Sequence, residues 1–200
     1  MYKQRSEFDE TRIDVLQALM AANPLGAVVS FADVLTADHI PFEIGAPTEE
    51  APFGVLRAHV ARANPMWRRA GREVLTIFQG ASGYISPGLY ENKPIHGKVV
   101  PTWNYAVVHA HGELRAIEDP AWVFALLDRL SDVHESKRSM PWSIHDAPRA
   151  FIDKLMAAIV GIEIPIARIQ GKWKMSQNQS ARDRAAIAAD VPALAGLMRA

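Results

Sequence analysis

The stretch that decides the fold is His59-Val60-Ala61-Arg62-Ala63-Asn64-Pro65-Met66-Trp67. It ends a run, residues 54–60, that alternates as a strand, with Arg57 and His59 on one face and Leu56, Ala58 and Val60 on the other. Asn64-Pro65 breaks the strand. Arg62 and Asn64 then project from a strand end where backbone amides are free, and a guanidinium there offers the paired donors that a phosphate needs. Trp67 adds an aromatic plane for a ring system. The same residues also suit a basic strand end followed by a proline-initiated turn, and composition alone leaves both readings open.

The sequence on either side predicts an α+β chain. Residues 9–22 read as a helix capped by Asp9, with Ile13, Leu16 and Met20 on one face. Residues 26–30 and 34–42 read as a hairpin turning near Asp33, and 45–52 as a loop. Residues 74–78 form a strand, 79–83 a glycine-rich turn, and 99–112 the longest strand candidate. Asp119-Pro120 opens a helix whose stripe is Trp122, Leu126, Leu130 and Val133. A second helix begins at Asp146-Ala147-Pro148 and carries Phe151 and Leu155. Residues 159–169 are a β-branched strand, and 180–200 an alanine-rich helical tail with a second start near Asp190. Six or seven mostly antiparallel strands with peripheral helices suggest a barrel or sheet in a single domain spanning 1–200.

Composition narrows the function. Lys plus Arg total 22 and Asp plus Glu total 22, so the net charge is zero, whereas a dedicated nucleic-acid binder carries a basic excess. Charge is nevertheless uneven: residues 53–72 hold five arginines and no acid, and residues 168–184 hold five basic residues against Asp183. Two basic patches suit anionic ligands. There is no cysteine, which removes disulfides and thiolate metal sites and fits the reducing cytoplasm. The polar start and the short apolar runs predict neither a signal peptide nor a membrane span.

Motifs for dinucleotide binding, a P-loop, a nucleophile elbow or a zincin are missing. The tail could form two helices joined at Asp190-Val191-Pro192, but the second has almost no polar side chain able to read bases. Two further segments carry chemistry. Pro101-Thr102-Trp103-Asn104-Tyr105 runs into His109-x-His111, a same-face pair able to touch a metal, with no evident further ligand. Gly171-Lys172-Trp173-Lys174-Met175-Ser176-Gln177-Asn178 is dense in donors, and lysines flanking a tryptophan suit an anionic aromatic ligand. An exposed connection capped by Ser176 or Asn178 is the plainer alternative.

At these residues the sequence resembles the PaiB family, described as FMN-binding negative transcriptional regulators. The resemblance rests on residues 59–68, Tyr84-Ile85-Ser86-Pro87, Val100 to Tyr105 with Val108-His109, and residues 171–178. It takes in Met1-Tyr2, His39-x-Pro41-Phe42, Pro141-Trp142, Ala147-Pro148 and Ala158-Ile159-Val160-Gly161. It implies a split β-barrel of the pyridoxamine-phosphate-oxidase type, acting as a homodimer with FMN in clefts between subunits. Arg57, His59, Arg62 and Asn64 match the flavin-phosphate side, and Trp67, Trp103 and Asn104 join the implied cofactor set. Lys172, Trp173, Lys174, Ser176 and Gln177 would close the cleft. Arg57-Ala58, His111 and Gln179 depart from the family pattern. The family role implies a non-catalytic sensor or regulator without metal, and a split barrel of zero net charge argues against direct reading of DNA. A flavin-dependent oxidoreductase is the alternative. A haem protein, with His39, His59, His109 or His111 as axial ligand, ranks last.

Overall fold

The computed structural model describes Met1 and residues 6–198. Tyr2 of the family motif and the last two residues of the predicted tail lie outside the described residues. The elements are β1 (Asp9–Glu10), α1 (Ile13–Ala22), β2 (Leu25–Phe31), β3 (Leu35–Pro41), β4 (Glu43–Gly45), β5 (Val55–Ala61), β6 (Glu73–Ile85) and α2 (Lys93–His96). They continue as β7 (Thr102–Glu113), β8 (Arg115–Ile117), α3 (Pro120–Glu135), α4 (Arg149–Met156), β9 (Ile159–Lys174), α5 (Ala181–Asp190) and α6 (Pro192–Ala195). The strands bond in the order β3-β2-β6-β7-β9-β5-β4, with β1 and β8 added to β9. The residues gather into two compact units, and β6, β7 and β9 supply residues to both.

One unit comprises Pro24–Ile77 and Ala110–Ile169. Its β2–β3 hairpin runs in register from Leu25↔Pro41 to Phe31↔Leu35, as the sequence predicts. On the other side β5 pairs with both β4 and β9, which places Arg57 opposite Glu43 and opposite Glu163. β3 also runs beside β5, so the sheet of this unit curls back on itself. Asp119 caps α3, accepting from the Ala121 amide at 3.0 Å with Pro120 in the first helical position. Val123 of α3 packs with Ile144, Ile152 and Met156. Two expectations about these helices change. Val133 is exposed, and in α4 the outward pair is Phe151 and Leu155 while Ile152 and Met156 turn inward. An i, i+4 spacing sets the period of a stripe but not its phase, and here the adjacent pair is the one that meets Ile144.

The other unit comprises Met1–Asn23, Phe78–His109 and Gln170–Ala200. The first helix starts later than predicted, because Asp9 and Glu10 pair as a strand with Lys172 and Gly171. Ladder bonds from β9 replace the cap expected of Asp9, and Glu10 holds the Arg12 amide at 2.9 Å just before the helix. The turn expected at residues 79–83 is absent, because β6 runs through it unbroken. Its glycines serve close approach instead of reversal: a Cβ on Gly80 would lie 2.9 Å from Leu19 Cδ1, and one on Gly83 2.9 Å from Val191 Cγ1. β9 also continues past residue 169 to Lys174, so the Lys-Trp-Lys segment is strand and not connection. The tail forms α5 and α6, broken at Val191 as expected. Among the described residues no helix is long and apolar enough to cross a membrane.

Candidate functional site

The basic end of β5 is held by the chain's own acceptors. Leu56, Ala58 and Val60 are buried, which leaves Arg57 and His59 on the opposite side, as alternation predicts. Arg57 Nε donates to Glu163 at 3.2 Å, and its guanidinium lies 3.7 Å from Glu43. Arg129 grips the same Glu43 through two bonds, of 2.6 and 3.0 Å, and Arg115 lies 3.5 Å from Glu163. Three arginines thus share two carboxylates. His59 stands across from Gly161, where the Trp122 ring leaves no room for a Cβ. Burial holds the His59 imidazole below its ordinary value, and its Nδ1 is buried without a hydrogen-bond partner.

Beyond β5 the chain is clamped. Arg62 donates to Ala157 O at 3.1 Å, Ile159 O at 3.2 Å and Glu118 at 2.5 Å, so all three guanidinium nitrogens have acceptors. Asn64 Oδ1 accepts from the Met66 amide at 2.8 Å and caps the 3₁₀ turn Pro65–Arg69, while its Nδ2 donates to Asp38 of β3 at 2.8 Å. Trp67 Nε1 donates to Arg62 O at 3.0 Å, and its ring lies under Arg62 and Arg68 at 5.9 and 5.4 Å. Arg69 donates to Ser30 and Thr36 of the β2–β3 hairpin. This segment therefore ties β5 to β3, where the sheet of its unit closes.

Of the other predicted residues, Asn104, Lys174 and Ser176 line a cavity of about 350 Å³ in the unit that holds β1, α1 and the tail helices, bounded also by Phe8, Tyr90, Thr102, Asn178 and Gln179. Asn104 and Ser176 are buried and bonded to each other: Asn104 Nδ2 donates to Ser176 Oγ at 2.9 Å, and that hydroxyl donates to Asn104 Oδ1 at 3.2 Å. Ser176 has φ +59, the positive value of a non-glycine residue that bends the chain back after β9. Lys174 donates to Thr102 Oγ1 and, at 2.9 Å, to Trp103 O. Burial, then the neighbouring Lys172 charge, hold its ammonium below the usual lysine range. Gln177 braces the strand end by accepting from the Met175 amide at 2.8 Å and donating to Trp173 O. Lys172 is buried opposite Asp9. Trp103 is 53% exposed on β7. Trp173 does not join the two lysines: strand alternation turns it to the other side, where it lines a different cavity against α1.

Sequence reasoning missed Phe8, Tyr90, Thr102 and Gln179 as wall residues. Thr102 had a signal, since it lies two residues before Asn104 on one strand. Tyr90 had none; burial, then the buried Asp183 carboxylate, push its phenol up, and that carboxylate accepts from the Glu91 amide at 2.9 Å. His109 and His111 do not assemble a metal centre: His111 Nδ1 meets Arg168 at 2.9 Å and lies 3.6 Å from Glu73, and among the described residues no cluster of three or more His, Asp or Glu is placed to hold a metal.

Residues 1–168 match the family described as "Putative FMN-binding domain". An uncharacterised protein of Emericella nidulans is 36% identical over 216 residues, covering 90% of this chain and 86% of its own. The protease synthase and sporulation protein PAI 2 of Bacillus subtilis is 29% identical over 179 residues, covering 88% and 82%. Among solved structures, the flavocytochrome Anf3 from Azotobacter vinelandii aligns with a TM-score of 0.62 at 16% identity, covering 92% of this chain and 78% of that one. The fold is the α+β split β-barrel of flavin-binding proteins, with peripheral helices, as the sequence predicts.

Proposed function

The chain belongs to the PaiB-like FMN-binding domain family, and from that premise we propose that it binds FMN and works as a cytoplasmic homodimer, as a flavin-dependent sensor or negative regulator without catalysis of its own. The observation that carries the reading is the cavity of about 350 Å³ built on the family's own motif residues. Its size lies in the range of small-molecule sites, and its walls mix aromatic and polar groups in the way such sites do. Lys174 offers a cation to an anionic part of the ligand. The amides of Asn178 and Gln179 match an edge of alternating donors and acceptors, and Phe8 and Tyr90 supply apolar surface. Asn104 and Ser176 hold the bend that aims this donor set. Bound FMN would supply a ring that takes up and releases electrons reversibly.

In the other unit, at the β5 end, His59 is the residue we assign to an anion such as a phosphate, because Arg57, Arg62, Asn64 and Trp67 are engaged within the chain and act by positioning. In the proposed dimer the exposed Trp103 would be covered by the partner subunit. Regulation by direct reading of DNA is not part of the proposal. The net charge is zero, and α6 is a helix of 4 residues, too short to lie along a major groove as a recognition helix does.

Titration of the purified chain with FMN, followed by absorbance and flavin fluorescence, tests this reading. Lys174→Met should weaken binding by about tenfold or more, the effect of losing a charge-assisted hydrogen bond. A flavin spectrum unperturbed by the protein, or wild-type affinity in Lys174→Met, sinks the site. Sedimentation showing monomers at micromolar concentration sinks the dimer. Sustained oxidation of NAD(P)H through the bound flavin would favour the oxidoreductase alternative.

A further inference from the structure

We propose that Asp183 of the tail helix α5 is a positioning residue of the Lys174 cavity: it holds Tyr90 in the cavity wall, so that ligand binding and the docking of α5 are coupled. The inference rests on that cavity being the flavin site. Asp183 is 3% exposed, and a buried carboxylate is tolerated only where donors face it. Its Oδ1 accepts from the Glu91 amide at 2.9 Å, a bond between residues 92 positions apart. Asp183 is the third residue of α5, and its own amide donates to Ser180 Oγ at 3.1 Å, which is half of a capping box. At Ser143 the box is complete, because Asp146 turns back to the cap amide at 2.9 Å. Asp183 instead reaches away from its helix, to the residue next to Tyr90. The exposed Arg182 lies 3.5 Å from the Glu91 carboxylate, a weak second hold of α5 on the same residue.

Tyr90 is buried and lines the cavity. Burial, then the Asp183 carboxylate, push its phenol up, so the tethering charge lies within Coulombic reach of a ring in the cavity wall. On the helix side, Asn178 and Gln179 line the same cavity and Ser180 caps α5. Residues 178–183 therefore supply one stretch of wall and the clamp on another. The tail is seated by the fully buried Ile187 and by Val191 and Leu194, which pack at Gly83 of β6. A ligand that touches Tyr90 and Gln179 together favours the docked helix, and by linkage the docked helix favours the ligand. α5 lies beyond residues 1–168, the part that matches the family, and this coupling gives the proposed sensor a helix that responds to an occupied cavity.

The test uses the full chain and FMN, with affinity read by flavin fluorescence. Asp183→Ala should bind FMN about tenfold or more weakly, whereas Asp183→Asn, which keeps an oxygen for the Glu91 amide, should stay within about threefold of the wild type. Hydrogen exchange reads the coupling in the wild type alone. With saturating FMN the Glu91 amide should exchange at least about tenfold more slowly, a local opening suppressed by the ligand. The Ala121 amide, bonded in the same way to Asp119 in the other unit, should change far less. Wild-type affinity in Asp183→Ala, equal losses in the two Asp183 variants, or a Glu91 amide indifferent to FMN overturns the proposal. A wild type that binds no FMN sinks the flavin reading and this inference together, whereas any of those three outcomes in a chain that binds FMN sinks this inference alone. The exchange measurement needs no variant, so it decides the matter even if Asp183→Ala fails to fold.

Discussion

Arg62→Met separates the two roles open to the basic loop. In the structure this guanidinium bonds two backbone carbonyls, of Ala157 and Ile159, at 3.1 and 3.2 Å, and the Glu118 carboxylate at 2.5 Å. Its side chain is 42% exposed and that of Glu118 57%, so the ion pair is screened by solvent and contributes only about 0–1 kcal/mol. The two bonds to carbonyls are charge-assisted, nominally about 1.5–3 kcal/mol each, but water reaches part of the site and replaces some of the loss. The cation above Trp67, at 5.9 Å, adds roughly 0.5 kcal/mol. Methionine keeps most of the apolar stem. The net expectation is a loss of about 2–3 kcal/mol, and for a chain of this length a fall in Tm of roughly 5–10 °C.

The assay is urea unfolding of wild type and variant without flavin, with the m-values compared so that a change in midpoint is read as stability. The same two proteins are then titrated with FMN. A clasp predicts a large stability loss in flavin-free protein. A phosphate ligand predicts little change without flavin and a tenfold or greater loss of affinity with it. A stability change below about 0.5 kcal/mol together with such an affinity loss would refute the clasp and restore Arg62 as a direct contact.

Two further outcomes follow from the same geometry. Ser176→Ala and Ser176→Gly both remove the bonds to buried Asn104, but only glycine relieves φ +59, so the glycine variant should be about 1 kcal/mol more stable than the alanine variant in chemical denaturation, and equal stabilities would show that the backbone angle is not the constraint. His59 and His111 both lie below the ordinary imidazole value of 6.5, His59 through burial and His111 through burial and then Arg168. The unfolded chain therefore takes up protons first as pH falls, so stability is complete above that value and declines through it toward the lowered ones. Urea midpoints at pH 7.5 and 5.5 should differ more in wild type than in the double variant His59→Gln/His111→Gln, and an equal difference would rule out these histidines as the source.

What was legible in the sequence was what local chemistry determines. The cap of Asp119 with Pro120, the alternation around Arg57 and the β2–β3 hairpin are written in adjacent residues, and they appear where expected. The failures arise where a distant partner decides. Asp9 looked like a cap because nothing nearby announces that β9 will reach Lys172 and bond it. Gly80 and Gly83 looked like a turn because a glycine needed for the approach of Leu19 or Val191 reads, in sequence, like a glycine needed for reversal. Tyr90 and Phe8 reach the candidate site through tertiary packing alone.

The same distinction reweights the two motif segments. Donors matter to a ligand only if the fold leaves them unclaimed, and composition cannot reveal that. In residues 59–69 the chain claims most of them: Arg62 by three acceptors, Asn64 Nδ2 by Asp38, Arg69 by Ser30 and Thr36, which leaves the unpartnered Nδ1 of His59 and the exposed Arg68, which lies over the Trp67 ring. In residues 171–179 internal bonds are used differently. Ser176 with Asn104, and Gln177 with the Met175 amide, fix a bend, and beyond it Asn178 and Gln179 face a cavity shared with Lys174, whose ammonium has three hydrogens and gives two of them to Thr102 and Trp103 O. Arginine density made the first segment look like the ligand site. Its internal hydrogen bonds make it the seam that closes the sheet of its own unit, and most of the ligand contacts we propose fall instead at the strand end that follows Trp173.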